Sequence, residues 1–72
     1  MKKIKKIKIK VNGKIKSINQ DYTLSVVLKN LKIPLKKVAI ELNEEIIDKK
    51  KLSRIKLIKN DKIEIVHFIG GG

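Results

Sequence analysis

Three glycines, Gly70, Gly71 and Gly72, close the 72-residue sequence, and the carboxylate at Gly72 is the group best suited to covalent chemistry. It is ionised at neutral pH and can attack the α-phosphate of ATP, which would leave an acyl adenylate on Gly72. Glycines have no Cβ, so Gly70 and Gly71 could lie extended in a channel too narrow for side chains and bring the backbone close to a nucleotide. The ordinary reading of such an end is a flexible tail, since glycine is costly to order and termini fray. Residues 70–72 are accordingly expected to be a flexible tail on a domain of residues 1–69, and three glycines alone do not justify the chemical reading.

The other candidates are few. His67 is the only histidine, and with no second ligand or base nearby in sequence it is expected to be structural, with no metal site and no catalytic residue in the chain. The absence of cysteine excludes disulfides, thiolate metal sites, a catalytic thiol and a side-chain sulfur carrier. At 72 residues the chain should be one domain with one thin core, too small for a substrate pocket and a catalytic shell together. An enzyme acting alone is therefore not expected. Neither a long apolar run nor a signal peptide is evident, and the expectation is a soluble cytoplasmic protein.

The net charge of +12 is uneven: residues 1–16 hold eight lysines and no acid. Such a cluster can be a nucleic-acid footprint. Two features argue against it. Single-strand and RNA readers need stacking platforms, and only Tyr22 and Phe68 are available; Arg54 is the lone arginine, which leaves little bidentate base readout. The predominance of lysine and isoleucine fits a codon bias, and no specific nucleic acid is expected as a partner.

These residues must be positioned by a small set of elements. Ile7, Ile9 and Val11 alternate with Lys8 and Lys10, the period of a half-buried strand, and Asn12-Gly13 supply the positive-φ pair of a type I′ turn. A second strand from Lys14 to about Asn19 follows, with Ile15 and Ile18 out of alternation, which suggests a bulge or an early end to pairing. Thr23 can cap a helix over Leu24–Lys32 whose apolar stripe is Leu24, Val27, Leu28 and Leu31. Pro34 sets its end at Ile33. Val38–Leu42 reads as a third strand, turning at Asn43 and Glu44 into a short fourth at Glu45–Ile47, and Lys49–Leu52 as a helical turn. Lys62–Ile69 is the last strand, with Ile63 and Ile65 on one face and Glu64, Val66 and Phe68 on the other. One apolar helix stripe and one apolar sheet face must bury each other, which makes a two-layer α+β domain. Order and lengths resemble the ubiquitin-like β-grasp, a mixed sheet of four to five strands on one main helix, with the last strand central beside the first.

A ubiquitin-like domain ending in diglycine is a specific combination. Glu41-Leu42-Asn43, Glu45-Ile46-Ile47 and the closing run from Asp61 through Glu64-Ile65-Val66-His67-Phe68-Ile69 to the three glycines resemble the thiamin-biosynthesis sulfur carrier family (ThiS). Residues 7–37 match it only in pattern. The resemblance implies that a ThiF-like adenylyltransferase of the ubiquitin-activating type, using ATP and magnesium, activates Gly72. A sulfur donor such as a cysteine desulfurase would then make a thiocarboxylate, and a ThiG-like thiazole synthase would take the sulfur. The chain binds no cofactor itself in this scheme, and without cysteine the sulfur can sit only on the terminus. Glu44 stands where the family often has glycine, so the turn is expected to change type; Asp48 replaces a common proline, and Asn60 a common glycine.

Val66 and Phe68, with Ala39 and Glu41, should occupy the open side of the sheet as a docking surface. Lys49, Lys50 and Lys51 with Arg54 read as a solvated face that could also steer an acidic partner. Two rivals stand beside the thiamin reading: a sulfur carrier for molybdopterin synthesis, like the small subunit of molybdopterin synthase, and a basic RNA-binding β-grasp module.

Overall fold

The computed structural model describes residues 5–68, so the expected strand extension to Ile69 and the readings of Gly70, Gly71 and Gly72 lie outside the described residues. Strand β1 (Lys6–Val11) turns at Asn12 and Gly13 into β2 (Lys14–Asn19). Both turn residues have positive φ, 48° and 82°, as the type I′ turn requires. Pairing runs without interruption from Val11 opposite Lys14 to Lys6 opposite Asn19, so the expected bulge or early end is absent. Lys14 and Lys16 share a face with Ile18 at the sheet edge, and they stay exposed there. The broken alternation reflects incomplete cover of an edge strand, not a change of register.

Helix α1 (Leu24–Asn30) starts at Thr23, whose Oγ1 accepts the Val26 N–H at 3.3 Å. It ends two residues short of the expected Lys32. Lys32 takes the left-handed conformation (φ 58°), its N–H donates to the Lys29 carbonyl, and the Ile33 N–H donates to the Leu28 carbonyl. Those bonds form a Schellman stop with lysine in the usual glycine place. A short 3₁₀ turn at Leu35–Lys37, not anticipated from sequence, leads into β3 (Val38–Leu42) and β4 (Glu45–Ile46). A 3₁₀ segment at Lys49–Arg54 follows, longer than the expected helical turn, with Asp48 Oδ1 accepting the Lys50 N–H at its start. The last strand, β5, is Lys62–His67.

The sheet order is β2-β1-β5-β3-β4, with β5 parallel to β1 and antiparallel to β3. The last strand is central beside the first, as the β-grasp order requires. Ile9, Val11, Ile18, Val38, Ile40, Ile63 and Ile65 bury one sheet face against Leu24, Val27 and Leu28 of α1. Each such aliphatic side chain contributes about 1.5–3 kcal/mol on burial. Leu52 and Leu57 close the core from the segment before β5, where the Leu24 N–H donates to the Ile55 carbonyl and the Leu57 N–H to that of Tyr22. Among the described residues no helix is long and apolar enough to cross a membrane.

Candidate functional site

The point of interest is where the chain leaves β5. Register fixes which side chains share the open face: Ala39 lies opposite Val66 and Glu41 opposite Glu64, while Val38 lies opposite His67. Side chains alternate along a strand, so Val66 and Phe68 fall on the face away from α1, together with Ala39 and Glu41. Val66 is 46% exposed and Phe68 59%; Ala39 and Glu41 are half-covered. The four residues singled out from sequence thus stand on two neighbouring strands of one face. Ile46 joins them, since it pairs with Glu41 from β4 and is 76% exposed. Its place was readable in the two-residue turn at Asn43 and Glu44, which fixes the register that puts Ile46 beside Glu41.

The backbone at the exit is held on one side only. The Phe68 N–H donates to the Lys37 carbonyl at 3.0 Å, which extends the β3 pairing one residue past the strand. On the other side β1 pairs with β5 only at Lys10–Lys62 and Val11–Ile63. Beyond that, the Asn12 side chain replaces the strand, its Oδ1 accepting the Ile65 N–H at 2.7 Å. Antiparallel alternation turns the His67 N–H and C=O away from β3, and among the described residues no hydrogen bond reaches them. The end of β5 therefore projects past the β1–β2 hairpin with one edge bare.

A cation stands beside this exit. Lys49 Nζ stands 5.4 Å from the Phe68 ring centroid, a cation–π contact that holds the ring across the open face. Lys50, Lys51 and Arg54 of the same segment are exposed. His67 is exposed too, beyond the cover of α1, and no cluster of three or more potential metal ligands exists among the described residues.

The opposite end of the sheet is built from polar bonds. Asp61 is buried (6% exposed); its Oδ1 accepts from Asn43 Nδ2 at 2.9 Å and its Oδ2 accepts the Ile58 N–H at 2.8 Å. Asn43 Oδ1 accepts the Lys62 N–H, locking the start of β5 to the β3–β4 turn. In that turn Asn43 and Glu44 both have positive φ, 51° and 72°. Glu44 adopts the left-handed conformation that glycine would take more cheaply. Asn60 does the same at φ 72°. The Asp61 network is a framework feature that sequence reading left as a polar break.

Comparison with known proteins supplies the context for this geometry. A model of the ThiS family matches residues 6–72. The sulfur carrier protein ThiS of Bacillus subtilis is 38% identical over 65 residues, covering 89% of this chain and 98% of that one. A thiazole synthase of Paramagnetospirillum magneticum is 36% identical over 66 residues, which are 92% of this chain and 20% of that protein. The chain thus spans about a fifth of the thiazole synthase relatives it matches. The crystal structure of a thiamine biosynthesis protein (ThiS) from Geobacter metallireducens superposes with a TM-score of 0.81 at 26% identity, covering 92% of this chain and all of that one. The fold is the ubiquitin-like β-grasp, and the chain belongs to the ThiS family.

Proposed function

We propose that this ThiS-family chain is the sulfur carrier of thiamin biosynthesis, a protein cosubstrate and not a catalyst, with the sulfur held as a thiocarboxylate on Gly72. The observation that carries the reading is the exposed Val66–Phe68 strip running directly into the chain exit from β5, so that an enzyme docked on the open face receives the tail in the same encounter. Gly70 and Gly71 thread the activating site. The Gly72 carboxylate attacks the α-phosphate of ATP, held with magnesium by a ThiF-like adenylyltransferase, and pyrophosphate leaves. The terminal sulfur of a persulfide on a donor such as a cysteine desulfurase then displaces AMP at the acyl carbon, and a thiol reductant cleaves the resulting acyl disulfide, leaving the thiocarboxylate on Gly72 and a disulfide on the donor side. A ThiG-like thiazole synthase accepts the sulfur, a pairing supported by the match between this chain and a fifth of proteins that bear that name. Lys49, Lys50, Lys51 and Arg54 steer the encounter toward acidic partner surfaces. The cytoplasm, where ATP is available, is the compartment this chemistry calls for.

The test is incubation of the chain with adenylyltransferase, ATP, magnesium and a sulfur source, followed by intact-mass and fragmentation analysis. The expected result is exchange of one oxygen for sulfur at the terminal residue. Sulfur on any other residue, or none, would overturn the mechanism.

A further inference from the structure

At the β2 edge of the sheet, separated from β5 by β1, the structure holds a second surface with its own chemistry. β2 is an edge strand, paired only with β1. The Gln20 N–H donates to the Lys5 carbonyl, which extends the pairing and fixes its phase. Residues 14, 16, 18 and 20 turn their backbone groups toward β1, while Ile15, Ser17 and Asn19 turn theirs outward. The Asn19 carbonyl accepts the Tyr22 N–H. Among the described residues nothing bonds the N–H and C=O groups of Ile15 and Ser17. Beside this bare edge, between β2 and α1, runs a groove of about 280 Å³. Ile18, Tyr22, Val27 and Leu31 form its apolar lining, and Lys6 and Lys16 are its cationic members.

We infer that the β2 edge and the β2–α1 groove form a docking site for an extended, acidic segment of a partner protein, which adds to the sheet as a strand beside β2. Three observations select this occupant. The unpaired groups of Ile15 and Ser17 match the main chain of a strand, and main-chain bonding is what gives affinity in strand addition. The apolar lining lies on the α1 side of that edge, where alternate side chains of an added strand project. Lys14 and Lys16 project on the groove side of β2 and Lys6 lies at the groove's end, so acidic residues flanking the apolar ones meet opposite charge. The same lysines exclude a second copy of β2, because pairing two such edges would set Lys14 and Lys16 of each chain against one another, a common guard against edge-to-edge association. A polyanionic nucleic acid would satisfy the lysines but not the strand-spaced backbone groups. The site is independent of the tail chemistry, so a chain engaged through its open face and Gly72 could hold a second protein at this edge.

The experiment uses the full-length, isotope-labelled chain and a peptide of valine–glutamate–valine–glutamate–valine flanked by aspartates, followed by amide and methyl chemical shifts and amide hydrogen exchange. Binding is expected at about 10–100 μM, with shifts at Ile15, Ser17, Val27 and Leu31 and slowed exchange at the Ile15 and Ser17 amides. Lys16→Glu should weaken it about tenfold, and a peptide with proline at its centre, which lacks one strand N–H, by at least as much. Phe68→Ser should leave it unchanged. Shifts confined to the Val66–Phe68 face, equal binding of the proline peptide, no shifts at millimolar peptide, or tighter binding of an oligouridylate at the same amides would each overturn the proposal.

Discussion

Asn12 and Ile65, 53 positions apart in sequence, are joined by a 2.7 Å hydrogen bond from the Ile65 N–H to the Asn12 side-chain oxygen. A turn residue thereby does the work of a strand, holding β5 where β1 has ended. This bond separates the paired half of β5 from the half that leads out of the domain.

The first prediction follows from that bond. Asn12→Gly keeps a residue suited to the left-handed turn position (φ 48°) but removes the acceptor, leaving a part-buried N–H unsatisfied. Stability should fall by about 1–2 kcal/mol, read from the denaturant midpoint, and the Ile65 amide should exchange faster. An unchanged midpoint with unchanged exchange would show that the clamp contributes nothing.

The second concerns Glu44, whose φ of 72° places a side chain in the left-handed region. That conformation costs a non-glycine residue about 1–2 kcal/mol, partly offset by the entropy glycine loses on folding. Its ion pair with Lys62 at 3.2 Å is largely exposed and adds little. Glu44→Gly should therefore raise stability by about 0.5–1 kcal/mol. A thermal melt showing a loss would mean that the ion pair outweighs the strain.

Much of this molecule was legible in its sequence because local rules and tertiary packing agree there. Asn12-Gly13 specifies the hairpin, Thr23 caps the start of the helix, and the alternation of Ile63 and Ile65 with Glu64 and Val66 assigns the two faces of β5. Where the reading failed, the deciding interactions were non-local. Ile15 and Ile18 looked irregular because an edge strand needs no complete apolar face, and nothing local shows that α1 leaves Lys14 and Lys16 uncovered. The Lys32 helix stop uses a residue with no intrinsic preference for positive φ. The contacts of Leu24 with Ile55 and of Tyr22 with Leu57 join segments more than 30 positions apart. Lys49 looked like one of three equivalent solvated lysines, yet only the fold brings it over the Phe68 ring.

The third prediction tests the open face. Phe68 is 59% exposed and its ring meets the surface cation Lys49, so Phe68→Ser should leave stability within about 0.5 kcal/mol of wild type. Binding to the adenylyltransferase or the thiazole synthase should weaken by about tenfold, since aromatic side chains near the centre of an interface carry a large share of its energy. A large drop in melting temperature with intact binding would assign Phe68 to the framework instead.

The last prediction concerns the glycine end. Gly71 comes four positions after His67, the last residue of β5. Gly71→Val adds a β-branched side chain that narrows the accessible backbone conformations and would fill a channel admitting only main chain. Among the described residues the buried core lies between Ile9 and Ile65, and stability is expected to stay within about 0.5 kcal/mol of wild type. Adenylation should instead fall by about a hundredfold or more, because a small displacement of the attacking carboxylate from the α-phosphate is enough to cost that much. Pyrophosphate exchange with the partner enzyme, run beside a thermal melt of the carrier alone, separates the two effects. Wild-type exchange by this variant would show that the tail does not thread a narrow channel, and the role proposed for Gly70 and Gly71 would fall with it.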